Sequence, residues 1–133
     1  LGQAREAVSA DLNESYLAAF SAIQRDPNQL LAVVDIAGMI SGCLQLSFIP
    51  GLSRTGMWRG QIESVRVARE VRGQQIGRQL FEWAIHQCES RGCGLVQLTT
   101  DKTRSDALRF YQSLGFSASH EGLKLSLPLR RQP

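Results

Sequence analysis

Cysteine is scarce: Cys43, Cys88 and Cys93 are the three in 133 residues, and none stands in a close CxxC or Cys/His spacing. That pattern points to no metal site, and an odd number of scattered thiols reads as reduced core or near-surface groups of a cytoplasmic protein. Long apolar runs are missing too. Nothing approaches the ~20 residues that span a bilayer, so no membrane partner is expected. An excess of one charge is also lacking: fifteen basic against twelve acidic residues leave +3. That is too small and dispersed for a nucleic-acid binder, and basic and aromatic residues do not cluster. The fingerprint GxGxxG and the Walker loop ending in Gly-Lys-Ser/Thr are absent, so neither a dinucleotide nor a nucleoside triphosphate is indicated. The opening stretch LGQAREAVSA carries no apolar signal core and no targeting pattern.

What is present suits one soluble α/β domain over residues 1–133, with 43% hydrophobic and 20% charged residues. Tyr16, Leu17, Phe20 and Ile23 recur at helical spacing, predicting a helix with one buried face that Asp26-Pro27-Asn28 stops. Leu30 to Val34 and Met39 to Ile49 read as two antiparallel strands around a turn at Asp35 to Gly38. The stretch PGLSRTGMWRG, Pro50 to Gly60, is a long connection that either lines an acceptor pocket or lets Met57 and Trp58 cover the core edge. Gln61 to Val67 returns to strand. A helix from Gln75 to about Arg91 buries Ile76, Leu80, Ala84 and Cys88, flanked by Phe81 and Ile85, and Gly92 ends it. Leu95 to Thr99 is a buried strand. Ser105 or Asp106 caps a further helix with Ala107, Leu108, Tyr111 and Leu114, ended by Gly115. Leu123, Leu125, Leu127 and Leu129 alternate strictly and predict a final strand. The unit from Gln61 through the helix to Thr99 is a βαβ crossover, hence locally parallel, in a sheet that is antiparallel at its start.

The chemistry concentrates at VRVAREVRGQQIGRQ, Val65 to Gln79, where an apolar run meets a small basic turn that opens a helix. The first N–H groups of a helix lack intrahelical acceptors and lie at the positive end of its dipole. With Gly73, Gly77 and flanking arginines they offer an anion several donors, and a pyrophosphate suits them. The same residues also fit an ordinary connection in which Gly73 supplies a backbone angle while Arg72 and Arg78 are solvated charges.

Two blocks resemble the GNAT family of N-acetyltransferases, over roughly Leu30 to Leu127. IESVRVAREVRGQQIGRQL is similar to the family's strand followed by Arg/Gln-x-x-Gly-x-Gly/Ala, with Arg72, Gln75 in the first glycine slot, and Gly77. DALRFYQSLGF resembles Asn-Ala-x-x-Phe-Tyr-x-x-x-Gly-Phe through Ala107, Phe110, Tyr111, Gly115 and Phe116. Gln75 departs from the pattern and requires a turn that accepts a side chain on a helical backbone; Asp106 stands where Asn is usual, removing an amide donor toward the cofactor arm.

The resemblance implies an α+β acyl-coenzyme A fold: a mixed, mostly antiparallel sheet with splayed central parallel strands, flanked by helices. It implies acetyl-CoA as cosubstrate, an amine acceptor and a homodimer. Val65, Arg66 and Val67 would pair with the pantetheine arm, and the N–H groups of Arg72, Gly73, Gln74, Gln75, Ile76, Gly77 and Arg78 would hold the pyrophosphate. Arg69, Arg78 or Arg109 would meet the 3′-phosphate. The family's first strand, before the Tyr16 helix, has no convincing counterpart.

Acyl transfer to an amine requires removing a proton from the ammonium, stabilising an oxyanion and protonating the departing thiolate. Tyr111 is implied as general acid, the alternative being a core tyrosine beside Phe110. Strand alternation sends Glu63 to the face of Val65 and Val67, and the family often has a base there acting through water; a ligand-positioning carboxylate or a structural salt bridge is the alternative. A backbone N–H of Val65 to Val67 would meet the oxyanion. His120 and Glu121 are further candidates facing the acceptor, as are Thr99, Thr100 and Asp101, whose more ordinary duty is loop capping. The carboxylates Glu63, Glu121 and Asp101 would together suit a cationic amine. A non-catalytic acyl-CoA sensor or partner-binding module is the competing reading.

Overall fold

A hairpin turn with two left-handed residues, Ala37 (φ 50°) and Gly38 (φ 86°), joins the first two strands. Both positive φ values match the twist of antiparallel strands, and the Asp35 carboxylate accepts from the Gly38 N–H at 2.8 Å. The structure, a computed structural model, describes residues 13–129. They divide after Leu98 into two compact units.

The first unit holds α1 (Glu14–Arg25), β1 (Gln29–Ile36), β2 (Met39–Ile49), the single turn α2 (Ser53–Gly56), β3 (Arg59–Val67), α3 (Ile76–Ser90) and β4 (Leu95–Gln97). The strands lie in the order β1-β2-β3-β4. The first two pairings are antiparallel, and β3 runs parallel to β4 only where Arg59, Gly60 and Gln61 face Leu95, Val96 and Gln97. This is the mixed sheet that the chain order predicts.

The apolar stripe of α3, Ile76, Leu80, Phe81, Ala84 and Cys88, is buried, as are Leu44, Leu46 and Phe48 of β2 and Ile62 of β3. Alternation along β2 sends those three residues to one face, and helical spacing aims the α3 stripe at it. Gly60 allows the closest approach: a Cβ there would lie 2.2 Å from the Cys88 sulfur. The helix ends in a Schellman motif, with Gly92 left-handed at φ 79°. The N–H of Cys93 returns to the Cys88 carbonyl at 2.9 Å, and that of Gly92 to Glu89 at 3.0 Å. At the next residue back, the Arg91 guanidinium stacks 3.9 Å above the Phe48 ring and donates to the Pro27 carbonyl at 2.9 Å.

Three expectations need correction. Helix α1 forms, capped by Asn13, whose Oδ1 accepts from Ser15 N–H at 2.6 Å, yet none of its residues is buried. Its main neighbour among the described elements is β1, and Tyr16, Leu17 and Phe20 stay about half exposed. Strand β4 stops at Gln97 and is half-buried rather than buried. The alternating leucines form no strand: Leu123 is 93% exposed, and Leu125, Leu127 and Leu129 are exposed too. Alternation supplies a face, but a strand also requires a neighbour for its backbone, and none pairs there among the described residues.

The second unit contains α4 (Ser105–Ser113). Neither Ser105 nor Asp106 caps it; Arg104 occupies the N-cap position without a side-chain bond, and Asp106 is an acidic residue of the first turn. Gly115 follows the helix at φ 100°. The place of the family's first strand, before the Tyr16 helix, lies outside the described residues. Among the described residues no helix is long and apolar enough to cross a membrane.

Candidate active site

A bulge in β3 sets the geometry. Cys43 of β2 faces Arg66 and Gln45 faces Glu63, so two residues, Ser64 and Val65, oppose Leu44 alone. Ser64 takes a positive φ of 54° to do so. An extra residue breaks the two-residue alternation. Ile62 and Val65 therefore both turn into the core, at 3% and 4% exposure, and Glu63 is exposed. Glu63 thus does not share the face of Val65, contrary to the alternation argument. It shares that of Gln61, whose Nε2 donates to Glu63 Oε1 at 3.3 Å. Among the described residues no cation forms an ion pair with Glu63.

Past Gln61, no strand among the described residues pairs with the β4-facing edge of β3, while the opposite edge stays bonded to β2 as far as Val67. Val65, Arg66 and Val67 therefore lie on a stretch whose β4-facing side no described strand pairs. A peptide-like ligand with two amides can complete such an edge.

The chain then makes a 3-10 turn, Arg69–Val71, and reaches α3. The N–H of Arg72 bonds to Arg69 at 3.3 Å and that of Gln74 to Val71 at 3.2 Å. Those two groups are spent on the turn, which narrows the cradle expected from Arg72 to Arg78. The first bond into the helix runs from Gln79 N–H to the Gln75 carbonyl at 3.0 Å, so the N–H groups of Ile76, Gly77 and Arg78 precede it and have no intrahelical acceptor. Gly73 sits at φ 88°. Gln75 is the N-cap, left-handed at φ 65°, ψ 16°, and its side chain is exposed. The residue in the family's glycine slot thus does not sit on ordinary helical backbone; it takes the conformation that glycine adopts most easily. Arg72 is exposed, whereas the Arg78 Nε is paired with Glu82 at 3.1 Å along the helix. Three amides at the positive end of a 15-residue helix, beside an exposed guanidinium, fit a pyrophosphate.

In the second unit Tyr111 is buried, with its ring edge-on to Phe110 at 5.7 Å and to Phe116 at 6.2 Å. Burial raises its phenol above the usual value, with the Arg104 charge opposing, so the group holds its proton at neutral pH. Asp101 accepts from Thr103 Oγ1 at 2.7 Å and from its N–H at 2.9 Å, and these bonds lower its carboxyl below the ordinary range. That is loop capping. His120 Nδ1 contacts Ser119 Oγ at 2.7 Å, and both it and Glu121 are exposed. Gln61 and Gln97 were not among the residues singled out from sequence; Gln61 could have been found from its place two residues before Glu63, whereas Gln97 required the strand pairing.

The model of the acetyltransferase (GNAT) family matches residues 3–116. The chain belongs to this family. It is 35% identical over 101 residues to the aminoalkylphosphonate N-acetyltransferase of Salmonella typhimurium, covering 76% of this chain and 65% of that protein. It is 33% identical over 90 residues to the glucosamine 6-phosphate N-acetyltransferase of Trypanosoma brucei brucei, covering 68% of this chain and 59% of that one. This GNAT chain thus matches less than two thirds of the length of either curated relative. A solved structure described as a transcriptional regulator from Bacillus halodurans C-125 is 52% identical, with a TM-score of 0.85, covering 87% of this chain and 77% of that one.

Proposed function

We propose that this GNAT chain, acting as one domain, is an acetyl-CoA-dependent N-acetyltransferase that modifies the primary amine of a small molecule or peptide by direct attack in a ternary complex. The observation that carries this reading is the helix start at Ile76, Gly77 and Arg78, whose amides have no intrahelical acceptor and follow Val65–Val67 closely in sequence. The thioester supplies an acyl group already activated for transfer. In this reading Val65, Arg66 and Val67 pair with the pantetheine arm, the α3 amides and Arg72 bind the pyrophosphate, and Asp106 lies near the cofactor arm. Glu63 takes the ammonium proton, directly or through water, and Tyr111 protonates the departing thiolate. The phenol carries at neutral pH the proton that this role requires.

Two curated relatives are named for amines that carry a phosphonate or a sugar phosphate. They favour an anionic amine as acceptor over the cationic one that the carboxylates suggested, and the engagement of Asp101 by Thr103 weakens the cationic case. The likeness to a chain described as a transcriptional regulator favours the second reading, an acyl-CoA sensor without turnover. Release of free thiol from acetyl-CoA separates them, tested with aminoalkylphosphonates, hexosamine phosphates, polyamines and amino acids. Turnover with the first two groups supports the proposal, and binding of acetyl-CoA with no turnover on any amine selects the sensor. Tyr111→Phe is expected to lower kcat by about 10²-fold while leaving acetyl-CoA affinity within about twofold. Unchanged turnover removes Tyr111 from the mechanism. Homodimerisation and a cytoplasmic location complete the proposal, the former checked by light scattering.

A further inference from the structure

Across the sheet, opposite the face that carries Leu44, Leu46 and Ile62, runs a band of amides. On β1 and β2, Gln29 Oε1 accepts from Gln45 Nε2 at 3.1 Å and from Ser47 Oγ at 3.0 Å. On β3 and β4, Gln97 Nε2 donates to Gln61 Oε1 at 2.8 Å, and Gln61 Nε2 donates to Glu63 Oε1 at 3.3 Å. The strand register accounts for the band, since Gln29 faces Ser47, Ser47 faces Gln61, and Gln61 faces Gln97.

The direction of the bonds matters more than their number. A primary amide has a donor end and an acceptor end. By donating to the Gln61 oxygen, Gln97 occupies the acceptor end and leaves the Gln61 NH2 for Glu63. On the other side, the Gln45 NH2 is turned toward β1, away from the β3 residue it faces. Among the described residues Gln61 is the amide that donates to Glu63, and that donor is oriented by a residue on the neighbouring parallel strand. The contact between Gln61 and Gln97 is part-buried and short, whereas Glu63 itself is exposed. The anchor is thus the better shielded end, and the carboxylate is the end that faces solvent.

We propose that Gln61 and Gln97 are positioning residues for Glu63: the two amides form a relay from β4 that holds the carboxylate in one rotamer for proton removal from the acceptor amine. This rests on the reading of Glu63 as the base. It also explains the site of the parallel pairing. The three-residue match of β3 with β4 ends at Gln61 and Gln97, so the last pair before the open edge is the one that steadies Glu63. The bulge at Ser64 follows immediately and turns the next residues inward, leaving Glu63 as the last side chain on that face before the break.

The test is a double-mutant cycle on the full chain with acetyl-CoA and an aminoalkylphosphonate as acceptor. Glu63→Gln is expected to lower kcat by about 10²-fold, and Gln97→Leu alone by roughly tenfold, with the KM for acetyl-CoA unchanged and the thermal midpoint within about 3 °C. In the Glu63→Gln background, Gln97→Leu is expected to cost less than twofold more, because a relay acts only through its terminus. Gln61→Leu should behave as Gln97→Leu does, lowering kcat with the KM for acetyl-CoA unchanged. Additive losses, or no loss from either glutamine variant, overturn the relay while leaving Glu63 as base. If Glu63→Gln itself keeps full turnover, the base assignment and the relay fall together, while acetyl-CoA binding at α3 stands.

Discussion

Gln75 shows how one side chain can carry a local cost. It occupies the left-handed region at φ 65°, where a residue with a Cβ is disfavoured by about 1–2 kcal/mol. Its exposure means that no packing depends on the side chain. Gln75→Gly is therefore expected to be neutral or stabilising by up to about 1 kcal/mol, part of the relief being offset by the greater freedom of glycine in the unfolded chain. Gln75→Val should destabilise by about 1–2 kcal/mol, since a β-branched side chain tolerates this region least. Urea midpoints of the three proteins check this, and a stable valine variant would show that the turn takes another conformation. Ser64 is the second such residue, at φ 54°, and its strain accompanies the bulge that separates Glu63 from Val65. Nothing in ESVRV announces a bulge, because serine is no stronger a signal there than any small polar residue. The alternation rule consequently assigns Glu63 to the wrong face.

At the scale of elements, α3 was legible in full. Its apolar residues repeat on one stripe, and Gly92 closes it with the Schellman bonds that such an ending predicts. The hairpin of β1 and β2 was legible for a similar reason, since both its turn and its alternation are local. The leucines from Leu123 to Leu129 mislead because periodicity records which face is apolar and carries no information about a pairing partner. For α1 the stripe was visible, but its exposure was not. The packing of α3 on the sheet turns on Gly60, where an added methyl would meet the Cys88 sulfur at 2.2 Å. Gly60→Ala should cost about 1–3 kcal/mol by overpacking. Combining it with Cys88→Ala should cost less than the sum of the two single changes, by about 1 kcal/mol, because the smaller side chain yields the space. Strict additivity in chemical denaturation would mean that the two positions do not touch.

For the whole molecule, the informative ionisable groups are protonated neutral ones. Burial, reinforced by the neighbouring Cys93 and opposed by Arg91, pushes the Cys88 thiol up from 9.0 to about 11. The Tyr111 phenol is likewise raised above 10.0 by burial. In each case the unfolded chain gives up its proton at a lower pH than the folded one, so the folded state binds more protons and stability falls as pH rises. The contribution of Cys88 is complete below about pH 9 and is lost as pH climbs toward 11; that of Tyr111 begins to fall near pH 10. Urea midpoints measured from pH 8 to 11 should decline, and the decline between 9 and 10.5 should be shallower in Cys88→Ala. An equal slope in that variant would mean that the thiol does not titrate with folding.

From its order of residues alone, the chain specifies the main elements from α1 to α4, the α3 stripe, the basic turn at Arg72 to Arg78 and the family to which it belongs, because each of these depends on neighbours within a few positions. The tertiary structure alone decided which amides of that turn remain free, which face Glu63 takes after the Ser64 bulge, and that Gln97 on a distant strand reaches Gln61. Those outcomes arise from hydrogen bonds between strands far apart in sequence, and a local period contains no term for such a partner.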